Sequence, residues 1–448
     1  MNKRSLRDSF ASRFGFVMAC IGSAVGVGNI WLFPRRVAAF GAPFLAAYLI
    51  CVTVIGLSGV VGEMAFGRSM KSGTLGAFRA AAERAGMSRH LGTVIAQIPI
   101  FGSFALAVGY SVVCGWILKY TVGAISGSIL YAGDLTGYID NFVSISSGTN
   151  NLVFHLISLA IVFLILNSGI SEGIEKVNKV LMPTFFLLFA ILAVYVSGLD
   201  GAAEGYAYMF SCSDWGTLLS GEVWKYALGQ AFFSLSLAGS GTLVYGSYLK
   251  GDENIPGCAA LVALFDTLAA FIAALVIIPT IYCAGVDMTA EVTSGPGLMF
   301  FYLPMIFSQM TFGRVQAIIF FVAVLFAAVT SLINLFEGPI ETLQSNFGGG
   351  RMQAVSLIVG SGGILAMLIT NIVSEWMDVC SIYICPIGAL LAAVMFFWVC
   401  GEDFAAAEIE KGGKAGRGKR YARLGKYVFC SLSLLVLILG SLTKGGIG

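Results

Sequence analysis

The chain alternates between long apolar runs and short polar segments. Most runs contain about 20 residues, which is the length that an α-helix needs to cross the hydrocarbon core of a bilayer. The pattern predicts an all-α polytopic membrane protein with about eleven spans and no sizeable soluble domain. The predicted spans cover residues 13–37, 42–67, 91–124, 152–169, 177–197, 222–249, 257–283, 314–345, 353–373, 376–400 and 427–443.

Composition agrees with this membrane class and excludes several others. Of the 448 residues, 58% are hydrophobic and 11% are charged, whereas a soluble protein carries about 25% charged residues. The cysteines form no CxxC pair and the only histidines are His90 and His155. We therefore expect no zinc site, no disulfide framework and no cofactor. The net charge of +2 gives no indication of a nucleic-acid partner.

Lysines and arginines are concentrated in alternate connecting segments. They lie mainly in residues 1–12, 68–90, 170–176, 250–256, 346–352 and 401–426. The positive-inside rule places these segments in the cytoplasm, so the N-terminus is inside and the odd number of spans puts the C-terminus outside. Residues 401–426 are rich in Gly, Lys and Arg, and we interpret them as a basic cytoplasmic loop beside anionic lipid. The long outer segments 198–221 and 284–313 are interpreted as amphipathic lids.

The first span is interrupted at residues 22–34 (GSAVGVGNIWLFP) by three glycines. Each weakens a helix by roughly 1 kcal/mol, and a broken helix is tolerated in hydrocarbon only where its freed groups face protein or a cavity. The freed carbonyls of Gly22, Ala24 and Val25 and the amide oxygen of Asn29 suit a small cation. The free N–H groups suit a carboxylate. The alternative is a helix-packing face built on Gly22 and Gly26.

A second break, at residues 236–241 (SLAGSG), lies within the sixth span. Breaks in corresponding spans of two five-span halves are typical of an inverted-repeat transporter, and they favour a binding site at both breaks. We divide the chain into a cytoplasmic tail (1–12), a transporter core (13–400), the basic loop (401–426) and an eleventh span with a short outer tail (427–448). The two repeats of the core are residues 13–197 and 222–400.

Several motifs resemble those of one transporter family. They are residues 22–31 with 33–34 in span 1, 62–68 (GEMAFGR) in span 2, 229–236 (GQAFFSLS) in span 6, 296–298 and 303–304 before span 8, and 330–331 within it. From residue 7 to about 400, the chain resembles the neurotransmitter:sodium symporter family in its bacterial amino-acid-transporting branch. The resemblance implies the leucine-transporter fold, with spans 1–5 and 6–10 as inverted repeats. It also implies sodium-driven amino-acid uptake by alternating access across the bacterial inner membrane.

Two sodium sites follow from the resemblance, position by position. The first would use Ala24, Asn29, Ser234 and Asp266, together with the substrate carboxylate. The second would use the backbone of Gly22, Val25 and Ala327 and the hydroxyls of Thr330 and Ser331. Hard oxygen donors at mid-membrane are costly and usually functional. Taken alone, Thr330 and Ser331 have another interpretation, a hydrogen bond to a carbonyl one turn earlier.

A substrate site between the two breaks is implied in the same way. Tyr110 would touch the substrate carboxylate and Phe233 would cover the substrate as an aromatic lid. Gly239 stands where relatives often carry a bulky aromatic, which favours a large hydrophobic or aromatic substrate. The remaining lining has no charged side chain, which favours a neutral substrate: Ser23, Ala24, Gly26, Leu106, Ser234, Ser236, Ser331 and Leu335.

The gates depart from the family pattern. At the outer gate, Leu32 replaces the usual arginine while Asp378 remains, and Arg35 and Arg36 lie one turn outward as substitutes. At the inner gate, Arg7 and Tyr248 match, but Phe10 replaces a tryptophan and Ser345 replaces the aspartate that pairs with the arginine. We expect Glu341 to be the acid for Arg7 instead.

Asp266 lies mid-span with no basic residue nearby in the sequence, so it is functional by default. The alternative is a neutral, protonated aspartate bonded to a neighbouring helix. By resemblance, chloride-dependent members have asparagine at this position, whereas Asp266 would itself supply the charge that balances sodium. We therefore expect chloride-independent transport, with proton uptake by Asp266 when the empty carrier returns.

Other functions are less well supported by the residues. Residues 169–173 (GISEG) fit a GxSxG pattern, but no strand precedes them and neither histidine has a triad role, so we expect no enzyme. A receptor or scaffold would need a soluble output domain or a long tail, and the pattern of spans indicates neither. A proton-coupled carrier of the same fold, or one for a substrate other than an amino acid, stays open, although Thr330 and Ser331 favour sodium.

Overall fold

The computed structural model describes residues 8–130, 133–147, 149–211, 215–237, 240–286, 296–413 and 416–442. Within these ranges the regular structure is helical and includes no strand, which confirms the all-α class. Eight of the described helices are long and apolar enough to cross a membrane, or nine if one bent pair is counted as a single span. The fourth predicted span falls short because its helix has 16 residues, and the sixth because it is divided.

The described helices follow the predicted order of spans. We number them span 1 (Arg13–Ala24 and Gly28–Phe40), span 2 (Ala42–Met70), span 3 (Arg89–Ser126), span 4 (Leu152–Asn167), span 5 (Ile170–Ser197), span 6 (Gly221–Ser234 and Gly241–Gly246), span 7 (Ile255–Cys283), span 8 (Gly313–Phe347), span 9 (Arg351–Leu368), span 10 (Thr370–Val399) and span 11 (Gly418–Leu442). Shorter helices connect them: Thr74–Arg84, Ser128–Leu130, Leu135–Ser146, Ala202–Phe210, Trp215–Leu219, Leu298–Gln309 and Glu402–Glu410.

The break in span 1 is where the glycines predicted it. The first half-helix ends at Ala24, and Val25 is extended, with φ −71° and ψ 107°. The chain becomes helical again at Gly28, and the two half-helices differ in direction by 56°. The first half-helix is capped at its N-terminus by Ser12. The Ser12 hydroxyl accepts a hydrogen bond from the Gly15 N–H at 3.0 Å, which satisfies one of the free donors of the first turn.

Span 6 is broken beside span 1. Its first half ends at Ser234 and its second begins at Gly241. Ser236 and Ser240 have φ of 56° and 53°, a left-handed conformation that is uncommon for residues other than glycine. The Ser236 hydroxyl donates a hydrogen bond to the Ser23 carbonyl at 2.5 Å. The two breaks therefore meet in the interior, as the inverted-repeat interpretation expects.

Span 2 packs along both halves of span 6, and other spans surround the first half of span 1. Span 8 runs along both span 3 and span 5, and span 1 packs against spans 5, 7 and 8. The outer segments contribute short helices: Ala202–Phe210 packs on span 7 and Leu298–Gln309 packs on span 8. The breaks thus lie among several packed spans, which is the place that the predicted site requires.

Residues 401–426, predicted to be a basic cytoplasmic loop, include helical structure. This segment contains the helix Glu402–Glu410, and span 11 begins at Gly418 instead of residue 427. Its basic side chains pair with acidic groups of the same segment: Arg423 with Glu402 at 2.9 Å and Lys419 with Asp403 at 3.5 Å. The charges thus form contacts within the protein, which a composition-based interpretation cannot detect.

Span 2 and the second half of span 6 touch backbone to backbone. A Cβ atom on Gly67 would lie 1.9 Å from the carbonyl oxygen of Leu243, and one on Gly246 would lie 2.6 Å from that of Met64. Distances this short cannot be relieved by turning a side chain. Gly67 is therefore required for the packing of the second half of span 6.

We expect Gly67→Ala to lower the stability of the folded protein by about 1–3 kcal/mol, since the added methyl must push two backbones apart. The control is Gly360→Ala in span 9, where a Cβ would meet nothing within 4 Å. That change should be neutral or stabilise by up to about 1 kcal/mol. Melting temperatures in detergent measure both, and equal melting of Gly67→Ala and wild type would refute the close contact.

Candidate functional site

A buried carboxylate lies at the centre of the site. Asp266 of span 7 is 0% exposed. Its carboxylate accepts hydrogen bonds from the Asn29 amide at 2.8 Å, from the Ser234 hydroxyl at 2.8 Å and from the Tyr48 hydroxyl at 3.4 Å. No lysine or arginine forms an ion pair with it in the described part of the chain. Neutral donors from spans 1, 2 and 6 thus surround an acid that has no basic partner.

Asn29 is held in one orientation by this carboxylate. Its amide nitrogen faces three acceptors: the Asp266 carboxylate at 2.8 Å, the Ser234 hydroxyl at 3.0 Å and the Asp266 carbonyl at 3.2 Å. Its amide oxygen must then point the other way, where it accepts a hydrogen bond from the Gly26 N–H at 3.0 Å. A carbonyl-type oxygen has two lone pairs, so one remains for the cation that the sequence predicts beside Ala24.

The second predicted cation site gathers backbone oxygens around one hydroxyl. The Ser331 hydroxyl lies 3.1 Å from the Val25 carbonyl and 3.3 Å from the Gly22 carbonyl. The neighbouring Thr330 hydroxyl donates to the carbonyls of Phe326 and Ala327, at 3.0 and 3.1 Å. The bond to a carbonyl one turn earlier, considered from the sequence, is therefore present at Thr330. Its oxygen keeps a free lone pair in that arrangement.

A small cavity of about 50 Å³ lies between the breaks, which is room for a few water molecules. Tyr110 and Ser331 converge on it above Gly26, where a Cβ atom would lie 3.1 and 3.0 Å from their hydroxyl oxygens. The Val27 N–H donates to the Tyr110 hydroxyl at 3.1 Å. The predicted site residues Ser23, Ala24, Gly26, Asn29, Leu106, Tyr110, Phe233, Ser234, Ser236, Ser331 and Leu335 all line this cavity.

Phe233 separates this cavity from a larger vestibule. The vestibule has a volume of about 350 Å³, and Phe233 and Tyr110 line both spaces. The Phe233 ring lies against Gly28, where a Cβ atom would be 3.1 Å from it. A side chain at position 28 would therefore crowd the ring. Phe233 occupies the place that the sequence analysis gives to an aromatic lid.

At the outer gate, neither arginine considered as a substitute for the usual one pairs with Asp378 among the described residues. Arg35 and Asp378 both line the vestibule, but among the described residues they do not approach within ion-pair distance. The Arg36 guanidinium instead lies over the Tyr226 ring, 3.5 Å from its centre. Of the two arginines considered as substitutes, Arg35 faces the vestibule and Arg36 is engaged by an aromatic side chain.

The predicted cytoplasmic side is closed by aromatic packing and a buried ion pair. Phe10 packs edge-on against Phe16 and Tyr245, with ring centres 5.3 and 5.6 Å away. Arg351 donates to both carboxylate oxygens of Glu337, at 2.8 and 2.7 Å. The Tyr248 hydroxyl donates to the same carboxylate at 2.8 Å. Tyr248 thus joins spans 6, 8 and 9.

Two predicted residues fall outside the described ranges, and with them the expected pairing of Arg7 with Glu341. Arg7 and Gly239 lie outside the described residues. Glu341, which we expected to pair with Arg7, accepts hydrogen bonds from the Gly73 N–H at 2.8 Å and from the Ser345 hydroxyl at 2.7 Å. It therefore holds the connection between spans 2 and 3.

Sequence reasoning missed Asn334, Tyr48 and the pair of Glu337 with Arg351. Asn334 lines the inner cavity, and its amide nitrogen is buried without a hydrogen-bond partner among the described residues. A signal was available, because the polar positions 330, 334, 337 and 341 repeat every three or four residues in an apolar span. That spacing places them on one face of span 8.

Comparisons with known proteins agree on one family. The sequence profile described as the sodium:neurotransmitter symporter family matches residues 7–140 and 138–444. An uncharacterized sodium-dependent transporter of Bacillus subtilis, YhdH, is 32% identical over 428 residues, which cover 92% of each chain. The mouse sodium-dependent neutral amino acid transporter B(0)AT3 is 28% identical over 60% of this chain and 47% of that protein.

A solved structure is similar over nearly the whole chain. The crystal structure of MhsT in complex with L-phenylalanine matches with a TM-score of 0.84 and 31% sequence identity, over 97% of this chain and 99% of that one. This similarity confirms the predicted leucine-transporter fold. The relatives are transporters and not enzymes, as expected from the residues around 169–173.

We expect Arg351→Met to lower stability by about 3 kcal/mol, because it leaves the buried Glu337 carboxylate without its partner. Adding Glu337→Gln to that variant should recover most of the loss. The control is Lys176→Met, which removes an exposed pair with Glu172 at 2.5 Å and should cost less than about 1 kcal/mol. Thermal melting in detergent reports all three variants. Wild-type melting of Arg351→Met would exclude a stabilising role for the pair.

Proposed function

Because the chain belongs to the sodium:neurotransmitter symporter family, and is thus a sodium-dependent, multi-pass membrane transporter, we propose that it carries a large hydrophobic or aromatic neutral amino acid. The observation that supports coupling of this substrate to sodium is the Asp266 carboxylate, which is buried between the two helix breaks among neutral donors. An acid in that position is stable if a cation binds beside it. Sodium at the first site would be that cation, held with Ala24, Asn29 and Ser234.

The substrate would complete the first site with its own carboxylate. Tyr110 lines the small cavity together with Gly28 and Asn29, which begin the second half of span 1. A tyrosine hydroxyl and the free N–H groups at a helix N-terminus are donors for a carboxylate. Sodium would lie between this carboxylate and Asp266, so neither ion would bind well without the other. Two sodium ions are proposed, the second at Gly22, Val25, Ala327, Thr330 and Ser331.

The lining of the pocket and the ligand of the similar structure both favour a large, uncharged substrate side chain. The lining described here has no charged side chain apart from Asp266, and the similar structure of MhsT contains L-phenylalanine. The cavity of about 50 Å³ is too small for a phenyl ring while Phe233 covers it. An aromatic substrate therefore requires the Phe233 ring to turn toward the vestibule and to close again over the bound molecule.

The orientation proposed for the carrier follows from the charges and from the two ends of the site. The vestibule beyond Phe233 would face the outside, and the end closed by Phe10, Tyr248 and Arg351 would face the cytoplasm. The N-terminus would be cytoplasmic and the C-terminus outside, in the inner membrane of a bacterium. Alternating access would open the cytoplasmic end only after Phe233 has closed the outer one.

A panel of amino acids tests the substrate assignment. Purified protein should be stabilised against heat by phenylalanine, tryptophan, tyrosine or leucine in sodium chloride, and much less when choline replaces sodium. Uptake into proteoliposomes should show the same preference and the same sodium requirement. A preference for glycine or alanine would refute the large pocket, and equal uptake in choline along a proton gradient would favour proton coupling instead.

The role of Asp266 predicts transport that does not need chloride. Wild-type uptake should be equal in sodium chloride and sodium gluconate, because the carboxylate supplies the negative charge. Asp266→Asn should raise the half-saturating sodium concentration about tenfold or more, as the loss of a charged contact of ~1.5–3 kcal/mol suggests. The control is Asp140→Asn, because Asp140 is an exposed aspartate. Collapse of wild-type uptake in gluconate, or normal transport by Asp266→Asn in both salts, would contradict this role.

A further inference from the structure

Asn178 of span 5 is buried beside the first helix break and has an unpartnered amide oxygen. The residue is 1% exposed. Its amide nitrogen donates to the Ile174 carbonyl one turn earlier, at 2.8 Å. A carbonyl is only an acceptor, so the nitrogen must face it and the oxygen must face away. That oxygen has no hydrogen-bond partner within the described part of the chain.

The free oxygen lies beside Gly22, a residue of the proposed second sodium site. A Cβ atom on Gly22 would lie 2.0 Å from the Asn178 amide oxygen and 3.0 Å from the Thr330 Cβ atom. The oxygen therefore lies against the backbone of residue 22, on the side that Thr330 also approaches. Any side chain at position 22 would displace it, so the glycine leaves room for the Asn178 oxygen.

The other oxygens at this place have more lone pairs than donors. The Ser331 hydroxyl lies 3.1 to 3.4 Å from three carbonyls, those of Gly22, Ser23 and Val25, yet it has a single proton to donate. Converging neutral oxygens without donors are the ligand type that hard cations take in proteins. The donor set thus fits a small cation, and Asn178 adds one further oxygen of the same type.

We propose that Asn178 supplies its amide oxygen to the second sodium site, as a contribution of span 5 to a site built by spans 1 and 8. The inference rests on the proposed function, which places sodium there. A buried oxygen without a partner is unfavourable, and sodium would satisfy it. Sodium binding then fastens span 5 to spans 1 and 8, and release of the ion loosens that contact.

The alternative is that Asn178 is merely a buried asparagine with a structural role. Asn151, at the start of span 4, makes that alternative testable. It is 3% exposed, its amide nitrogen donates to the Val112 carbonyl at 3.1 Å, and its amide oxygen has no hydrogen-bond partner among the described residues. It shares the chemistry of Asn178 but lies away from both helix breaks, so it serves as the matched control.

The experiment replaces each asparagine by leucine, which has nearly the same shape and no oxygen. Melting temperature is measured against sodium concentration, with choline as the replacement and without amino acid. Asn178→Leu should raise the half-saturating sodium concentration about tenfold. In choline alone it should melt at or above the wild-type temperature, because an unpartnered buried oxygen has been removed. Asn151→Leu should leave the sodium titration unchanged.

Thr330→Ala separates failure of this inference from failure of the proposed site. If Thr330→Ala shifts the sodium titration and Asn178→Leu does not, Asn178 is no ligand and the second site stands without it. If neither variant shifts it, the second sodium site itself is wrong. If Asn178→Leu melts lower than wild type by the same amount in choline and in sodium, its role is structural and the proposal is overturned.

Discussion

The structure depends on how two interrupted helices satisfy their backbone in a medium without water. Each unpartnered N–H or C=O group in hydrocarbon costs several kcal/mol. Here other spans supply the missing partners: Tyr110 accepts from the Val27 N–H, Ser236 donates to the Ser23 carbonyl, and Ser331 approaches the Val25 carbonyl. Spans 3, 6 and 8 must therefore converge on span 1. The same groups form the lining of the cavity, so folding and binding use one set of contacts.

The two proposed sodium sites differ in charge, and this gives them different roles. The first contains the Asp266 carboxylate and lies beside the substrate cavity, so its occupancy is tied to the substrate. The second contains neutral oxygens from spans 1, 5 and 8, so its occupancy is tied to the relative position of these helices. A charged site in a medium of low dielectric binds its cation more strongly than a neutral one, which separates the two ions energetically.

The pattern of spans could be predicted from the sequence more fully than the side-chain contacts of the site. Apolar runs located the spans because each must bury about 20 residues in lipid, and glycines located the break in span 1. The helices within residues 401–426 were missed because composition shows how many charges a segment carries but not which of them pair, as Arg423 does with Glu402. The Glu337–Arg351 pair was missed for the same reason. Asn178 was missed because one polar residue in a span has no periodic signal.

Span 4 has a consequence for the lipid around the protein. Its helix, Leu152–Asn167, contains 16 residues and is about 24 Å long at 1.5 Å per residue. An ordinary bilayer has a hydrocarbon core of about 30 Å. Val153 and Leu164, near its two ends, are 63% and 65% exposed, so this helix meets lipid directly. A helix shorter than the hydrocarbon core is matched by a thinner bilayer, by flanking side chains that reach the interface or by association with other helices, so short-chain lipids suit the edge beside span 4.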